Sequence, residues 1–323
     1  MIALRIKKKQ MRVINKLLLF FILSVSLNAN TFEEAEKYLN EKNYSKALEL
    51  FTDLALHEEN AKAQYNLGVM NYNGLGTKQN KELAFFWYEQ ASTNGNLEAT
   101  NNLAYMYSIG EVVEKNIKKA RELYEQAANE GYALAQLNTA MFYEKNPTKE
   151  NLKKAFNYYE MSAKQGVIMA QNNLASMYYY GKGVKKDIEK AFYWYTKASN
   201  ANNEVASYNL SMMYLTGEYV QRDYEVAVSL LEKSVKKDYK VAILKLADIY
   251  RIGSVVSQDY KRAFSLYEQA AKQNSLKAMY YLGLFYYKGY GVLKDLGKAK
   301  LWMKRAADRG HERSKNFLEL HKM

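Results

Sequence analysis

The sequence predicts an all-α fold, a solenoid built from stacked helix pairs. Three observations lead there. A small residue followed four positions later by leucine, or once by Thr139, recurs every 36 residues, once every 35. Each such stretch runs into a glycine-bearing break and then into a second segment with apolar residues at helical spacing. The period itself falls in the roughly 20–50-residue range of stacked supersecondary units rather than of independent domains. Residues 170–198, AQNNLASMYYYGKGVKKDIEKAFYWYTKA, are the clearest copy.

The chain begins differently. Arg5, Lys7, Lys8, Lys9, Arg12 and Lys16 precede an eleven-residue apolar run, LLLFFILSVSL, and no acidic residue comes before Glu33. The run is short for a bilayer span, and Ala29 follows it, so residues 1–29 read as a secretory signal cleaved before Asn30. An uncleaved membrane anchor is the second reading, and Met11 is an alternative start. The body is expected to be exported, periplasmic or secreted, touching membrane only through that signal if it is kept. The chain has no cysteine. That excludes a disulfide framework, a thiolate metal site, a cysteine nucleophile and lipid attachment. The formal charge is +13 overall and about +7 from Asn30 onward, with both signs interspersed. No basic stripe with interleaved aromatics stands out, so no nucleic-acid partner is read.

Residues 30–60 form a first helical hairpin. Ala35, Tyr38 and Leu39 mark one helix, Ala47, Leu48, Phe51 and Leu54 the next, and Asn43 the turn. Without a glycine-rich loop, this pair reads as an N-terminal cap. Seven units follow at 61–96, 97–132, 133–167, 168–203, 204–239, 240–275 and 276–311. They open on Ala63, Ala99, Ala135, Ala170, Ala206, Ala242 and Ala278. The fifth residue after each is small (Gly68, Ala104, Ala140, Ala175, Ser211, Ala247, Gly283), which lets a second helix come close. A tyrosine at the eighth step supplies the large partner, except in the first unit, which has Asn71 and then Tyr72.

The first helix of each unit is expected to end at Gly74, Gly110, Gly181, Gly217, Gly253 or Gly289, in the left-handed conformation that closes a helix. The third unit has Asn146 there, one residue fewer, and Pro147, the chain's single proline. Second helices should start near Asn80, Asn116, Asn151, Asp187, Asp223, Asp259 and Asp295, whose side chains cap orphan amides. Several units close on Gly95, Gly131, Gly166 and Gly310. Residues 312–323 begin one more first helix, with Ser314 and Leu318 in register, and act as the C-terminal cap that a solenoid needs.

The pattern A-x-x-x-L-G/A-x-x-Y-x-x-G-x-G-V-x-x-D-x-x-K-A-x-x-W-Y-x-x-A resembles the Sel1-like repeat, a relative of the tetratricopeptide repeat. The resemblance implies a right-handed α/α solenoid, a superhelix of antiparallel helix pairs, serving as an adaptor. An exported chain of such repeats is also similar to the Helicobacter cysteine-rich proteins, though it lacks their paired cysteines. That analogy implies a second function, a beta-lactamase or a protein binding penicillin or muropeptides.

The residues themselves offer little chemistry. His57 lies in the first cap, and His311 and His321 at the other end of the sequence. They give no metal site, and His57 and His311 are expected at helix C-termini, where an imidazole meets free carbonyls. Ser234-Val-Lys-Lys237 spells S-x-x-K, but K-T-G and S-D-N are absent. Ser234 also occupies the packing slot held elsewhere by Ala91, Ala127, Ala198, Ala270 and Ala306. No catalytic residue and no cofactor is expected. Most tyrosines fall at repeating core positions. Tyr179, Tyr180, Tyr281 and Tyr287 lie outside the pattern, and Tyr286, Tyr287 and Tyr290 offer a local aromatic patch.

The functional candidate is a row three positions after each opening alanine: Asn66, Asn102, Asn138, Asn173 and Asn209, then Lys245, with Tyr281 ending the row in the last unit. Each precedes the core leucine and so points off the core stripe. Asparagine carries both donor and acceptor, and a row of them can hold an extended peptide backbone along a concave groove. Hydrogen bonding between repeats is the competing role. Met70, Met106, Met177 and Met213 share that side and read as core, with a soft groove floor as the second reading. The expected partner is a protein or peptide of the cell envelope.

Overall fold

The computed structural model describes residues 32–322, so the signal assigned to 1–29 lies outside the described residues. Among the described residues there are seventeen helices and no strand. They divide into two compact units, Met1–Ser162 and Ala163–Met323, and the division falls within the second helix of the repeat that carries Pro147.

In the first unit, α1 (Phe32–Asn40) and α2 (Tyr44–His57) form the cap. The pairs α3 (Ala61–Asn73) with α4 (Lys81–Thr93), and α5 (Leu97–Ile109) with α6 (Ile117–Asn129), follow. Then come α7 (Ala133–Glu144) and α8 (Lys149–Lys164). Starts are set by side-chain caps. Asn60, Asn80, Asn96 and Asn116 each accept from the backbone amide three residues on, at 2.7–3.0 Å. First helices stop where Gly74 and Gly110 turn left-handed, at φ 72° and 74°. The loop is then tied back, because the amide of the next cap donates to the carbonyl at the eighth step, Asn80 to Asn71 and Asn116 to Tyr107.

The third repeat departs from expectation. Asn151 is not the cap of α8; it lies inside the helix, and Thr148 takes that role, its Oγ1 accepting from the Asn151 amide at 3.1 Å. The loop is one residue shorter, and Pro147 has a fixed φ and no N–H to donate. The helix therefore starts earlier, and the Asn151 side chain folds back to donate to the Asn146 carbonyl at 2.8 Å.

The second unit repeats the scheme with α9 (Ile168–Tyr180), α10 (Ile188–Asn200), α11 (Glu204–Thr216) and α12 (Tyr224–Val235). It continues with α13 (Lys240–Ile252), α14 (Tyr260–Lys272), α15 (Leu276–Lys288), α16 (Leu296–Ala307) and the closing α17 (Glu312–Leu320). Asp187, Asp223, Asp259 and Asp295 cap its second helices. Where Gly95 and Gly131 end second helices in the first unit, this unit uses Asn202, Asp238 and Asn274, at φ 64°, 56° and 61°, and returns to glycine at Gly310. Asn and Asp are the non-glycine residues that tolerate this conformation best.

Within each unit consecutive helices pack on one another. The opening alanines are all fully buried, as are Ala84, Ala91, Ala191 and Ala198 from the second helices. These small residues bring helices together, and Leu67, Leu174 and Leu282 fill the space between them at 1 % exposure or less. The helices come close at Gly68, where an added Cβ would lie 2.5 Å from the Tyr88 ring. Two serines sit in the alanine slot, Ser162 and Ser234. Both are fully buried, with hydroxyls donating to the first-helix carbonyls of Ala133 and Glu204 at 2.7 and 2.8 Å.

Candidate binding site

Asn66, Asn102 and Asn138 lie on α3, α5 and α7 of the first unit; Asn173, Asn209 and Lys245 lie on α9, α11 and α13 of the second. All six are half-buried, at the margin of the core. Their bonding is not uniform. The Asn138 side chain donates to Asn101 Oδ1 of the preceding repeat at 2.7 Å. Asn102 and Asn173 each accept from the preceding asparagine, at 3.4 and 3.1 Å. The methionines one turn on, Met70, Met106, Met177 and Met213, are at most 2 % exposed and belong to the core.

Asn102 lines a hollow of about 330 Å³ between α3 and α5 over α4. Its walls are Tyr65 and Tyr72 from α3, Tyr88 from α4 and Tyr105 from α5. On a helix, 65, 69 and 72 share one face, the one left open when Ala63 and Leu67 turn inward. The Asn102 carboxamide lies beside the hydroxyls of Tyr65 and Tyr88. Burial, and for Tyr65 also the Glu98 charge, raises both tyrosines above their ordinary value, with Asn102 opposing. At the rim, the Lys81 ammonium pairs with Glu111 and stands 5.3 Å from the centre of the Tyr72 ring. Burial and the Glu111 carboxylate raise Tyr72, with Lys81 opposing. The walls are thus neutral, hydrogen-bonding aromatic surfaces at physiological pH.

In the second unit, the step between α13 and α15 is filled. Asp248 accepts from the Tyr267 hydroxyl at 2.6 Å and from Lys277 Nζ at 2.5 Å. Arg251 Nε donates to the Tyr267 hydroxyl at 3.0 Å, and its guanidinium covers the Tyr281 ring at 4.6 Å. Tyr281 stacks in turn on Tyr267, with centroids 4.9 Å apart. Burial works against the Arg251 charge, but Tyr267, Tyr281 and Asp248 outweigh it.

Family profiles for the Sel1 repeat match this chain seven times, at 61–96, 97–132, 133–167, 168–203, 205–239, 240–275 and 276–311. The chain belongs to the Sel1-repeat family. Among solved structures, it is similar to a protective antigen from uropathogenic Escherichia coli strains displaying an SLR fold, with 29% identity and a TM-score of 0.77. That match covers 84% of this chain but only 58% of the antigen's. It is also similar to a Sel1 repeat protein from Oxalobacter formigenes, with 25% identity and a TM-score of 0.69, covering 92% of this chain and 95% of the other. No match was found among proteins of curated function. The protein is therefore a Sel1-repeat scaffold, an α/α solenoid by family.

On this scaffold the other chemical candidates resolve into structural roles. Ser234 is sealed in its packing slot with its hydroxyl spent on Glu204. His57 sits at the C-terminal end of α2, 3.6 Å from Asp53. His311 is not at a helix C-terminus: it caps the start of α17, its Nδ1 accepting from the Ser314 amide at 3.3 Å. Burial, helped by Arg313, lowers its pKa and favours the neutral ring that can accept. Among the described residues no group of histidines and carboxylates is placed to hold a metal, and no helix is long and apolar enough to cross a membrane. The tyrosines outside the pattern split. Tyr180 is exposed, whereas Tyr179 donates to Glu218 at 2.6 Å. Tyr286 and Tyr290 join one aromatic cluster through Phe264 and Phe285, whereas Tyr287 packs apart from it on Phe317.

Sequence reasoning missed Tyr65, Tyr72 and Tyr105, and with them Asp248 and Arg251. They occupy the second, sixth and ninth places after the opening alanine. Those places do not repeat across the seven Sel1 units, so the search for periodicity passed over them. The helical angle holds the signal: these three places face away from the core stripe in most units, Asn101 and Leu137 being the buried exceptions.

Proposed function

We propose that this Sel1-repeat protein is an exported adaptor that holds a protein or extended peptide of the cell envelope against the open face of its first helices. Sel1-repeat scaffolds generally serve protein interaction and generally are not enzymes, which supports the class. The observation that carries the reading is the hollow between α3 and α5, where Asn102 lies among four tyrosines on a face that packing leaves open. Asn66, Asn138, Asn173, Asn209 and Lys245 extend that role along their own helices. Half-buried amides are held in place yet keep polar atoms at the surface, which suits gripping a main chain without reading its side chains. Export rests on the basic segment and apolar run that precede Ala29.

Site-specific photo-crosslinkers at Asn102 and Asn173, with matched probes at the exposed second-helix residues Glu122 and Tyr193, test the binding face. Capture of one and the same partner at the first two positions is expected. Capture only at Glu122 and Tyr193 would overturn the proposal. N-terminal sequencing of protein recovered from the envelope tests export, and a mature chain starting at Asn30 is the expected result.

A further inference from the structure

We infer that the hollow between α3 and α5 receives an arginine side chain presented by the partner segment; this rests on the binding face proposed above. The molecule contains its own precedent. Counted from the opening alanines, Val69, Tyr72, Tyr88 and Asn102 hold the same four places as Asp248, Arg251, Tyr267 and Tyr281. At the second set a guanidinium from the chain itself fills the space. It lies over one tyrosine ring, donates to the hydroxyl of another and is balanced by Asp248. At the first set the place of the arginine is taken by Tyr72, and the space is open.

The walls of the open hollow suit that occupant. Tyr65, Tyr72 and Tyr105 offer ring faces, and guanidinium stacks on such faces while keeping its planar donors free. The Asn102 carboxamide oxygen has a second lone pair for one of those donors. The Tyr72 ring already carries a cation, the Lys81 ammonium, on a rim side chain that is 35% exposed and paired with Glu111. The Glu98 charge reaches Tyr65 and favours a positive guest there, while at Tyr72 the Glu111 charge is opposed by Lys81. The unit as a whole agrees. Residues 32–162 hold 14 Lys and Arg against 19 Asp and Glu, whereas 163–322 hold 27 against 15.

The test uses the full-length protein and three fluorescein-labelled peptides, Ala-Ser-Ala-X-Ala-Ser-Ala, with X as arginine, lysine or citrulline, read by anisotropy. Citrulline keeps the shape of arginine and removes its charge. The arginine peptide is expected to bind about tenfold more tightly than the citrulline peptide, the scale of a desolvated cation–π contact. Tyr105→Ala, at a position 48% exposed, should remove that difference while circular dichroism stays unchanged. Equal binding of arginine and citrulline, preference for lysine, failure of all three to bind, or an arginine preference that survives Tyr105→Ala would each overturn the inference. Crosslinkers at Asn102 and Glu122 separate this from failure of the binding face. If the face is right and the guest wrong, all three peptides crosslink at Asn102 with equal affinity. If the face is wrong, they crosslink at Glu122.

Discussion

Two steps of the same repeat solve the same packing problem in opposite ways. Between α13 and α15, Arg251 reaches back over Tyr281 and joins Asp248, Tyr267 and Lys277 in one network. Between α3 and α5, the equivalent places hold tyrosine, valine and asparagine, and a hollow remains. The first helices around the two end alike, on left-handed glycines at Gly74 and Gly110 and at Gly253 and Gly289. Whether a Sel1 step is open or filled is therefore decided by three or four side chains that the fold does not require. This separates residues that make the solenoid from residues that specialise one step of it.

The largest expected effect breaks the filled step. Asp248→Ala removes the acceptor shared by Tyr267, Arg251 and Lys277, and leaves a guanidinium that is only 27% exposed without its carboxylate. We expect a loss of about 2–3 kcal/mol, at the lower end of the range for breaking a buried pair because the site is partly open to water. Adding Arg251→Leu should restore part of that loss, since the stranded charge goes with it. Asn102→Ala at the open step should cost less than about 1 kcal/mol. Urea unfolding combined with hydrogen exchange in α13 and α14 measures both. If the two single variants lose equal stability, the distinction between filled and open steps is wrong.

A second pair compares how closely the helices approach. Gly68 and Gly283 hold the same place in the first and last repeats. A Cβ at Gly68 meets the Tyr88 ring at 2.5 Å, whereas at Gly283 it meets Met303 side-chain atoms at 2.8–3.0 Å. A ring fixed between two helices cannot yield, while a methionine can. Gly68→Ala should cost about 1–2 kcal/mol as an overpacking change and reshape the hollow, because Tyr88 is one of its walls. Gly283→Ala should stay within about 0.5 kcal/mol of the parent, helped by the better helix propensity of alanine. Thermal melts of the two variants give the comparison directly.

The two kinds of residue also differ in how far sequence alone reveals them. The opening alanines recur in every repeat, and the leucines four places on, the left-handed glycines and the Asn and Asp caps recur at the same period in most of them, because each answers a demand of the helix pair. Departures such as Thr148 replacing Asn151 as a cap follow from local chain geometry around Pro147, which a periodic template does not carry. Asn138 shows a further limit. Its place in the polar row is plain from spacing, but its bond to Asn101 depends on which residue the neighbouring repeat has at its own second place. The hollow was illegible for the same reason. Tyr65, Tyr72 and Tyr105 are each unremarkable in their own helices and become a site only when two repeats are brought side by side.

Alkaline titration sharpens the contrast at smaller amplitude. Burial first, and then Asp248, raises the Tyr267 hydroxyl above the ordinary value of 10.0, so the folded protein keeps its proton where the unfolded chain has lost it. Stability from this group is present in full below about pH 10 and is lost as pH climbs toward its folded value. Tyr124 behaves the same way: burial pushes it up to about 12. Above pH 10, unfolding free energy should fall by up to roughly 1.4 kcal/mol per pH unit for each such tyrosine. Tyr267→Phe should flatten that slope by the share of one group. Urea unfolding at a series of pH values, with tyrosinate absorbance as a second probe, reads the slopes.

The smallest effect on stability is expected from the change that most directly tests the comparison, transplanting the filled step into the open one. Tyr88 already stands where Tyr267 does, so Val69→Asp, Tyr72→Arg and Asn102→Tyr complete the set. The new guanidinium would find the ring beneath it, the hydroxyl beside it and the carboxylate one turn back on its own helix, the i and i+3 spacing of Asp248 and Arg251. Desolvating the added pair offsets most of what its contacts contribute, so the triple variant should unfold within about 1 kcal/mol of the parent. Its binding should change far more, because the chain now supplies the guest and the arginine peptide is shut out. A variant that folds and still prefers the arginine peptide over its citrulline counterpart would show that the two steps are alike only in sequence position. A variant carrying Tyr72→Arg alone separates blocking from balance. Without the aspartate, its guanidinium should be looser and exclude the peptide less completely than the triple variant does.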